Sequence, residues 1–486
     1  MVSIRHSEAQ AEPRPDADGS GTRVVVVLAA CGILMALQQT MVLPLLPSLP
    51  SLLDTSPSNA SWLVTATLVT GAVVTPLIGR LADMYGKKRL ILLTLAVVVA
   101  ASLLGAVSDS LIPLVIARAL QGCGLSLIPV AMATMRDVLP PHRVPGGVAT
   151  MSASLAIGAA AGPPLAGLIV TFLDWHWIFW VMVLSGSALA ATVAAVVPRS
   201  PARAPEAFDH LGALVLAGAL TALLLPLSKG SQWGWTSRET LLLAGIGVLL
   251  LTAWIPLQLC ARSRAPLVNL RVAARPPVLL VNACALLIGF ALFGNILVTT
   301  QLLQLPTSTG FGAGMSVLEA GWWLMPIALV GVGIAPLAAR AIARFGAQRV
   351  LLVAAVELAV VFAARVPLSR EPWQIIAGAV LAGVGLSLTI AAVPTLIMGM
   401  VPMSESASAT GIGALLQSVG TSTASATMAA TATTWTVTVG AQTYPGLTAF
   451  TTMFWIAAGT TLTAAVLALV MIAGHSGHRG GESSSQ

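Results

Sequence analysis

The chain has 486 residues, of which 57% are hydrophobic and only 8% are charged. A soluble domain usually carries about 25% charged residues, so this composition excludes a protein that water surrounds on all sides. The formal net charge is +7. Because the basic residues sit in short segments between apolar runs, they indicate orientation in a membrane rather than binding to nucleic acid.

Apolar runs of about 20 residues, the length of a helix that crosses a bilayer core, recur along the whole chain. Backbone groups in lipid need partners within their own segment, so each run predicts a transmembrane α-helix. The fourteen predicted spans are 23–47, 60–80, 90–108, 111–133, 146–172, 177–197, 210–228, 239–259, 277–302, 317–338, 349–367, 373–400, 411–434 and 449–473.

The distribution of Lys and Arg predicts the orientation of these spans. If the N-terminus is cytosolic, nineteen basic residues lie in inner segments, and four, Lys229, Arg238, Arg365 and Arg370, lie in outer segments. This asymmetry places both termini in the cytoplasm and the protein in the plasma membrane. The first apolar run is long and has no small-residue cleavage site, so we expect it to remain as the first span.

A short segment occurs twice. GRLADMYGKKR at 79–89 follows the second span, and ARAIARFGAQR at 339–349 follows the tenth, at an offset of 260 residues. Such parallel repeats are typical of secondary transporters. The sequence therefore predicts an all-α integral membrane protein with two pseudo-symmetric six-helix bundles plus two inserted helices. The predicted units are a disordered cytosolic tail at 1–22, the first bundle at 23–197, the insertion at 198–260, the second bundle at 261–474 and a cytosolic tail at 475–486.

The first copy of the repeat carries the sharpest candidate for a functional role. Gly79 and Gly86 permit close helix approach and a sharp turn, and Arg89 ends a basic run that faces the anionic leaflet. Asp83 lies at the cytosolic end of a helix, where it can face the positive N-terminus of a neighbouring helix. A latch on the cytosolic side is predicted. An ordinary basic loop is the alternative, but it does not explain the spacing of Gly, Asp and Gly.

The same segment resembles the loop signature of the major facilitator superfamily, usually written G-x-L-a-D-r-x-G-r-k. LVIARALQGCG at 114–124 resembles the family's fourth-helix motif, and GAAAGPPLAG at 158–167 resembles the fifth-helix motif associated with antiporters. DWHWIFW at 174–180 resembles the segment that follows it. With fourteen spans, the chain is similar to the 14-helix drug:proton antiporter branch of that family.

Arg118 is the basic residue that the sequence places deep within a span, with Gln121 one helical turn away on the same face. An unpaired charge is costly there, so Arg118 is predicted to face a cavity or a partner and to couple to protonation or substrate. A structural ion pair or a snorkelling side chain is the alternative. In the fifth-helix motif, Gly158 and Gly162 predict close helix packing, and Pro163 predicts a kink after it. The resemblance implies that this motif, which includes Gly167, forms a hinge or seal.

The first span departs from the family branch, which often has an acid where this chain reads Leu37-Gln38-Gln39-Thr40. Gln38 cannot titrate. A cavity with Arg118 and no nearby acid favours a neutral or anionic solute. Glu357 and Glu319 are further candidates for proton coupling. The candidates for the substrate cavity are Gln38, Gln39, Thr40, Gln121 and the amides Asn282, Asn295 and Gln301. Interhelical hydrogen bonding is the alternative for the amides.

These features predict a secondary active exporter of an antibiotic or similar small organic molecule, by proton-coupled antiport and alternating access. No P-loop, metal-ligand or catalytic motif is evident, so no cofactor is expected and the proton gradient would supply the energy. The expected partners are the solute, protons and membrane lipids, and the chain is predicted to be a monomer. Arg far outnumbers Lys, which is typical of GC-rich antibiotic producers and favours self-resistance, for example to a β-lactam such as a cephamycin. The alternatives are an importer or metabolite carrier on the same fold, and a membrane-embedded enzyme.

Overall fold

The computed structural model describes residues 20–482 except 43–44, 46–48, 61, 200–208, 261–273 and 440–441. Its long helical segments are α1 Ser20–Thr40, α2 Trp62–Tyr85, α3 Lys87–Ala106, α4 Leu111–Val138, α5 Val144–Phe172, α6 Trp177–Val196, α7 His210–Trp233, α8 Arg238–Cys260, α9 Pro276–Gln304, α10 Val317–Phe345, α11 Ala347–Arg365, α12 Pro372–Met400, α13 Ser406–Thr434 and α14 Leu447–Glu482. The remaining described elements are helical turns at Leu49–Leu52 and Pro57–Ala60, 3-10 turns at Pro141–Arg143, Thr307–Thr309 and Met403–Glu405, and a hairpin of β1 Thr436–Val439 and β2 Gln442–Pro445.

The all-α membrane architecture predicted from the sequence is confirmed. Thirteen helices in the described ranges are long and apolar enough to cross a bilayer, and all of these correspond to predicted spans. Several predicted boundaries were wrong: α1 ends at Thr40 rather than 47, α2 continues to Tyr85 rather than 80, and α10 continues to Phe345 rather than 338. The extension of α2 places Asp83 within the helix. A 3-10 turn at Cys123–Ser126 also interrupts α4.

The predicted span that is not among these thirteen is 411–434, which corresponds to α13, a helix of 29 residues that is rich in Ser and Thr. Its hydroxyls donate to carbonyls one turn earlier in the same helix, as Thr410 does to Ser406 (2.7 Å) and Thr423 does to Val419 (2.8 Å). These local bonds satisfy polar groups that lipid or neighbouring helices would otherwise leave unpaired. Such a helix can therefore lie inside a bundle although its composition is less apolar.

The repeat seen in the sequence is also a repeat of structure. Gly86 (φ 101°) separates α2 from α3, and Gly346 (φ 83°) separates α10 from α11, in a conformation that favours glycine. The packing repeats as well: α1 lies along α5 as α9 lies along α13, and α3 lies along α6 as α11 lies along α14. Between the halves, α2 packs on α13 and α5 packs on α10, which are equivalent pairs under the same offset.

Three hydrophobic cores hold the described helices together. The first draws on α1–α6 and the second on α9–α14, with a few residues contributed across the seam. The third joins Val73 of α2, Leu220 of α7 and Leu415 of α13, so the inserted pair α7–α8 packs over the seam between the halves.

The predicted tails differ in part from the structure. α1 begins three residues inside the predicted tail 1–22, whose first 19 residues lie outside the described ranges. α14 continues into the segment predicted as the tail 475–486. The unit boundaries stay predictions.

Candidate functional site

Arg118 is the centre of a buried polar network in the first half of the chain. Its side chain is 1% exposed. Nε donates to the carbonyl of Leu63 (3.0 Å), and Nη1 donates to the carbonyl of Gln38 (3.1 Å) and to Oε1 of Gln121 (2.9 Å). These acceptors are all uncharged. The guanidinium therefore ties α1 and α2 to α4, and it has no ion pair with any of the described residues.

Two glutamine side chains extend this network. Gln121 donates from Nε2 to the hydroxyl of Ser102 on α3 (2.8 Å), and Gln38 donates from Nε2 to the carbonyl of Gln121 (2.9 Å). Gln38 and Gln121 are 2% and 0% exposed, and Oε1 of Gln38 has no hydrogen-bond donor among the described residues. The predicted association of Gln38, Gln121 and Arg118 is therefore present, but in this conformation these side chains bind one another rather than line an open surface.

The next two residues of α1 lead to the fifth-helix motif. Gln39 and Thr40 are half-buried, and the Thr40 hydroxyl donates to the carbonyl of Ala36 (2.8 Å). A β-carbon on Gly158 would lie 2.5 Å from the carbonyl oxygen of Ile33, and one on Gly162 would collide with Thr40. The absence of side chains at these two glycines thus lets α5 lie directly on α1.

The rest of that motif behaves differently. Pro163 lies inside α5, which continues as one helix from Val144 to Phe172. A β-carbon on Gly167 would meet no described atom within 4 Å, so close packing does not account for this glycine.

Asp83 connects the two halves of the chain. Its side chain is almost completely buried, and its carboxylate accepts from the backbone N–H of Ser408 (2.9 Å) and of Ala407 (3.3 Å) at the start of α13. A β-carbon on Gly79 would lie 2.8 Å from the carbonyl oxygen of Ala407. The predicted contact of Asp83 with a helix N-terminus is therefore present in the structure, and Gly79 provides the room for it.

Basic side chains lie near the contact between Asp83 and α13. We call the end of the bundle that holds this contact the Asp83 end. Lys87 Nζ lies 2.6 Å from Oδ2 of Asp137 and 3.9 Å from Oδ1 of Asp83, and it donates to the hydroxyl of Ser406 (3.2 Å). Arg136 donates from Nη2 to the carbonyl of Val401 (3.0 Å), a second bridge between the halves. Arg89 is exposed on α3. The halves are thus joined at the Asp83 end by several polar contacts.

The turn between α5 and α6 holds the last motif of the first half. Asp174 accepts a hydrogen bond from the backbone N–H of His176 (2.9 Å) and forms another with the imidazole of His176. These bonds hold the pKa of the Asp174 carboxyl below its ordinary value, and the backbone hydrogen bond has the larger effect. Nε2 of His176 lies 3.2 Å from Oδ1 of Asp109. This arrangement organises the turn that precedes α6.

The candidates of the second half lie in three places. Asn282 is buried on α9, and its Oδ1 has no donor among the described residues. Gln301 is half-buried near the end of α9, and its Oε1 also has no donor among the described residues. Glu357 is half-buried on α11, and its Oε2 lies beside Gly385 of α12 with no described donor. Glu319 is exposed and forms a capping box with Ser316 at the start of α10, so the structure gives this carboxylate a structural role.

Arg365 is the functional candidate that sequence reasoning missed. Its assignment to an outer segment was wrong, because it ends α11 and is 1% exposed. Its Nη1 donates to Oδ1 of Asn295 (2.5 Å), and its Nη2 donates to the hydroxyl of Thr299 (2.9 Å). Arg118 is therefore not the one buried cation among the described residues, and Asn295 is engaged with protein. The position of Arg365 inside the predicted span 349–367 was the available signal.

Comparisons with known proteins agree with this architecture. A family model described as the Major Facilitator Superfamily matches residues 28–425. In solved structures, the human organic anion transporter MFSD10 superposes with a TM-score of 0.68 at 18% identity, covering 92% of this chain and 99% of that one, which shows the fold.

Two relatives illustrate the sequence likeness. An uncharacterised MFS-type transporter of Mycobacterium tuberculosis is 30% identical over 387 residues, which is 76% of this chain and 53% of that protein, so the chain matches about half of that relative's length. The tetracenomycin C resistance and export protein of Streptomyces glaucescens is 29% identical over 353 residues, covering 71% of this chain and 64% of that protein. Because the family model matches most of its length, the chain belongs to the major facilitator superfamily.

Proposed function

We propose that this transporter is a secondary active exporter of an antibiotic or a similar small organic molecule, driven by proton entry through alternating access. The single observation that carries the proposal is the contact of Asp83 with the N-terminus of α13, because it joins the two halves at one end of the bundle. Alternating access requires contacts of this kind, which form at one end in one state and break in the other.

The direction of export depends on which side the Asp83 end faces. Lys87 and Arg136 contact the second half at this end, and Arg89 follows Lys87 in the first turn of α3. An excess of Lys and Arg marks cytoplasmic segments. The structure therefore corresponds to a state closed towards the cytoplasm in the proposed orientation, with both termini cytoplasmic. The likeness to a tetracenomycin C export protein supports export over import.

The proposed solute is neutral or anionic. Arg118 is buried, and every hydrogen-bond acceptor described for its side chain is uncharged. Gln38 stands where the drug:proton antiporter branch often has an acid, so no carboxylate neutralises Arg118 from α1. Uncompensated positive charge in a medium of low polarity attracts anions and repels cations. A β-lactam such as a cephamycin fits this preference.

Glu357 is the proposed proton carrier. It lies midway along α11, and its Oε2 is buried against Gly385 with no described donor. A carboxyl group in such surroundings is stable when protonated and costly when charged, so proton uptake and release there change the energy of the conformations that bury it.

The test is expression in a host that lacks its own efflux pumps, with resistance measured against cefoxitin, tetracenomycin C and ethidium. We expect resistance to cefoxitin or tetracenomycin C, its loss on addition of a protonophore, and little resistance to the cation ethidium. Equal accumulation of all three compounds with and without the protein would overturn the proposal. Faster uptake of a labelled compound would favour the importer instead.

A further inference from the structure

We infer that Arg365 is the second half's counterpart of Arg118 and acts as a positioning residue for transport, an inference that rests on the proposed function. Arg365 lies in the second half of the chain, outside all the motifs that the sequence shares with the family. Its contacts and its place in the repeat carry the argument.

The Arg365 side chain is enclosed by three helices of its own half. Besides Asn295 and Thr299 on α9, the guanidinium carbon lies 4.4 Å from the centre of the Phe454 ring on α14. Asn295 in turn donates from Nδ2 to the carbonyl of Ala379 on α12 (3.3 Å). A single guanidinium therefore links α11 to α9 and α14 directly and to α12 through Asn295.

The Arg365 side chain lies at the position in the second half that is equivalent to Arg118 in the first. Adding 260 to 118 gives 378, which is Gly378 on α12, the counterpart of α4. A β-carbon on Gly378 would lie 2.7 Å from Cγ and 3.1 Å from Nε of Arg365. The side chain from α11 thus crosses α12 at the position equivalent to Arg118, and the glycine leaves the room for it.

Both arginines bind the first helix of their half. Arg118 donates to the carbonyl of Gln38 on α1, and Arg365 donates to Asn295 and Thr299 on α9, the counterpart of α1. Hydrogen bonds from a charged donor are about twice as strong as neutral ones. In each half, a cation therefore fixes the first helix against the helices behind it, although the two cations come from different helices.

Neither a snorkelling side chain nor an ordinary ion pair explains Arg365. At 1% exposure the guanidinium does not reach solvent, and the acceptors described for it are an amide, a hydroxyl and an aromatic face. Burial of a charge without an opposite charge is costly, so such residues in membrane helices mark functional places. Because Arg365 acts through α9, its loss should slow the conformational cycle more than it weakens solute binding.

The first experiment measures proton-driven uptake of cefoxitin and tetracenomycin C into inverted membrane vesicles. We expect Arg365→Gln to lower Vmax at least about tenfold, the equivalent of about 1.4 kcal/mol, with a KM within about twofold of the original. Arg118→Gln serves as the benchmark. Arg370→Gln is the matched control, because Arg370 is exposed and lies five positions away. If Arg365→Gln transports like Arg370→Gln, the inference is wrong.

A relocated guanidinium separates positioning from general packing. In Arg365→Gly/Gly378→Arg, the arginine would sit on α12 at the position equivalent to 118, in the room that the removed side chain leaves. We expect this double variant to recover at least about a third of the original Vmax, while Arg365→Gly alone stays at least about tenfold impaired. Equal impairment of the single and double variants, with unchanged amounts of folded protein, would overturn the inference.

A measurement that needs no solute keeps this inference separate from the proposed function. Spin labels at Val107→Cys and Trp322→Cys, in a background without native cysteines, occupy exposed positions in opposite halves (63% and 57% exposed). We expect Arg365→Gln and Arg118→Gln to shift the distribution of label distances, and Arg370→Gln to leave it unchanged. An unshifted distribution in Arg365→Gln overturns the inference. A wild-type protein that moves neither compound would contradict the proposed function alone.

Discussion

The carboxylate of Asp83 on α2 accepts a hydrogen bond from the backbone N–H of Ser408, 325 residues later in the chain, at 2.9 Å. Ser408 lies in the first turn of α13, where free N–H groups and the helix dipole favour a negative charge. The contact therefore belongs to the conformation in which the two halves meet at this end.

Asp83→Asn should loosen the contact between the halves. The amide retains one acceptor oxygen but loses the charge that the helix N-terminus favours, at a cost of about 1–2 kcal/mol to the closed state. We expect the Asp83 end to open roughly tenfold more often and export to fall. The reporter is Thr410→Cys, a buried position in the seam, labelled with an impermeant thiol reagent in inverted vesicles.

Asp109→Asn is the control for this prediction, because Asp109 is exposed in the turn that precedes α4, away from the seam. It should label at the original rate. Labelling of Asp83→Asn at that same rate would mean that the carboxylate does not hold the end closed.

Gly79→Ala should keep the same end open by a steric route. The new methyl group would lie 2.8 Å from the carbonyl oxygen of Ala407, so α2 and α13 would have to separate although Asp83 is intact. We expect faster labelling of the Thr410→Cys reporter and at least about tenfold less export, since overpacking costs about 1–3 kcal/mol. Gly333→Ala on α10 is the matched control, because a β-carbon there meets no described atom within 4 Å. Similar export by both variants would count against the steric explanation.

The helices and the repeat could be predicted because their signals are local in sequence. The length of an apolar run fixes a span, and the Gly86 and Gly346 turns recur with the same neighbours. The acid of the latch could be predicted for the same reason. A helix N-terminus was predicted as its partner, but which helix could not be predicted, because backbone N–H groups such as those of Ala407 and Ser408 occur in nearly every residue type and leave no pattern in the sequence.

Arg365 was missed although its partner Asn295 was a candidate. A hydropathy argument fixes the end of a span only to within a few residues, so a basic residue near the end was assigned to the loop. Its partners, Asn295 and Thr299, lie 70 and 66 residues earlier on another helix. The room for its side chain depends on Gly378, which carries no chemical group that a motif could reveal.

Gly158→Ala tests whether the fifth-helix motif acts through its packing on α1. A β-carbon at 158 would lie 2.5 Å from the carbonyl oxygen of Ile33, so α5 would have to move away from α1 at a cost of about 1–3 kcal/mol. We expect a lower unfolding temperature and faster proton leak in proteoliposomes. Gly167→Ala, in the same motif but facing open space, should leave both unchanged. If the two variants leak equally, close packing is not what this motif contributes.

Glu357→Gln should uncouple export from the proton gradient. The amide is close in shape to the protonated acid, so the fold is retained, but it cannot release a proton. We expect net uptake of cefoxitin into inverted vesicles under a pH gradient to fall at least about tenfold, while exchange of labelled for unlabelled cefoxitin continues. Glu319→Gln is the control, since Glu319 is an exposed cap of α10. Normal gradient-driven uptake by Glu357→Gln would exclude this residue as the proton carrier.

Gln38→Asp tests the proposed preference for neutral or anionic solutes. The backbone carbonyl of Gln38 already accepts from Arg118, and its side chain is 2% exposed in the same network. A carboxylate there would compensate the guanidinium, an interaction on the order of 1–4 kcal/mol between charges about 4 Å apart. We expect resistance to cefoxitin to fall and resistance to ethidium to rise, so that their ratio changes at least about tenfold. Gln38→Asn has the shape of the aspartate without its charge and should keep the original ratio. If both variants change the ratio equally, the shape of the residue at 38 rather than its charge determines which solutes are exported.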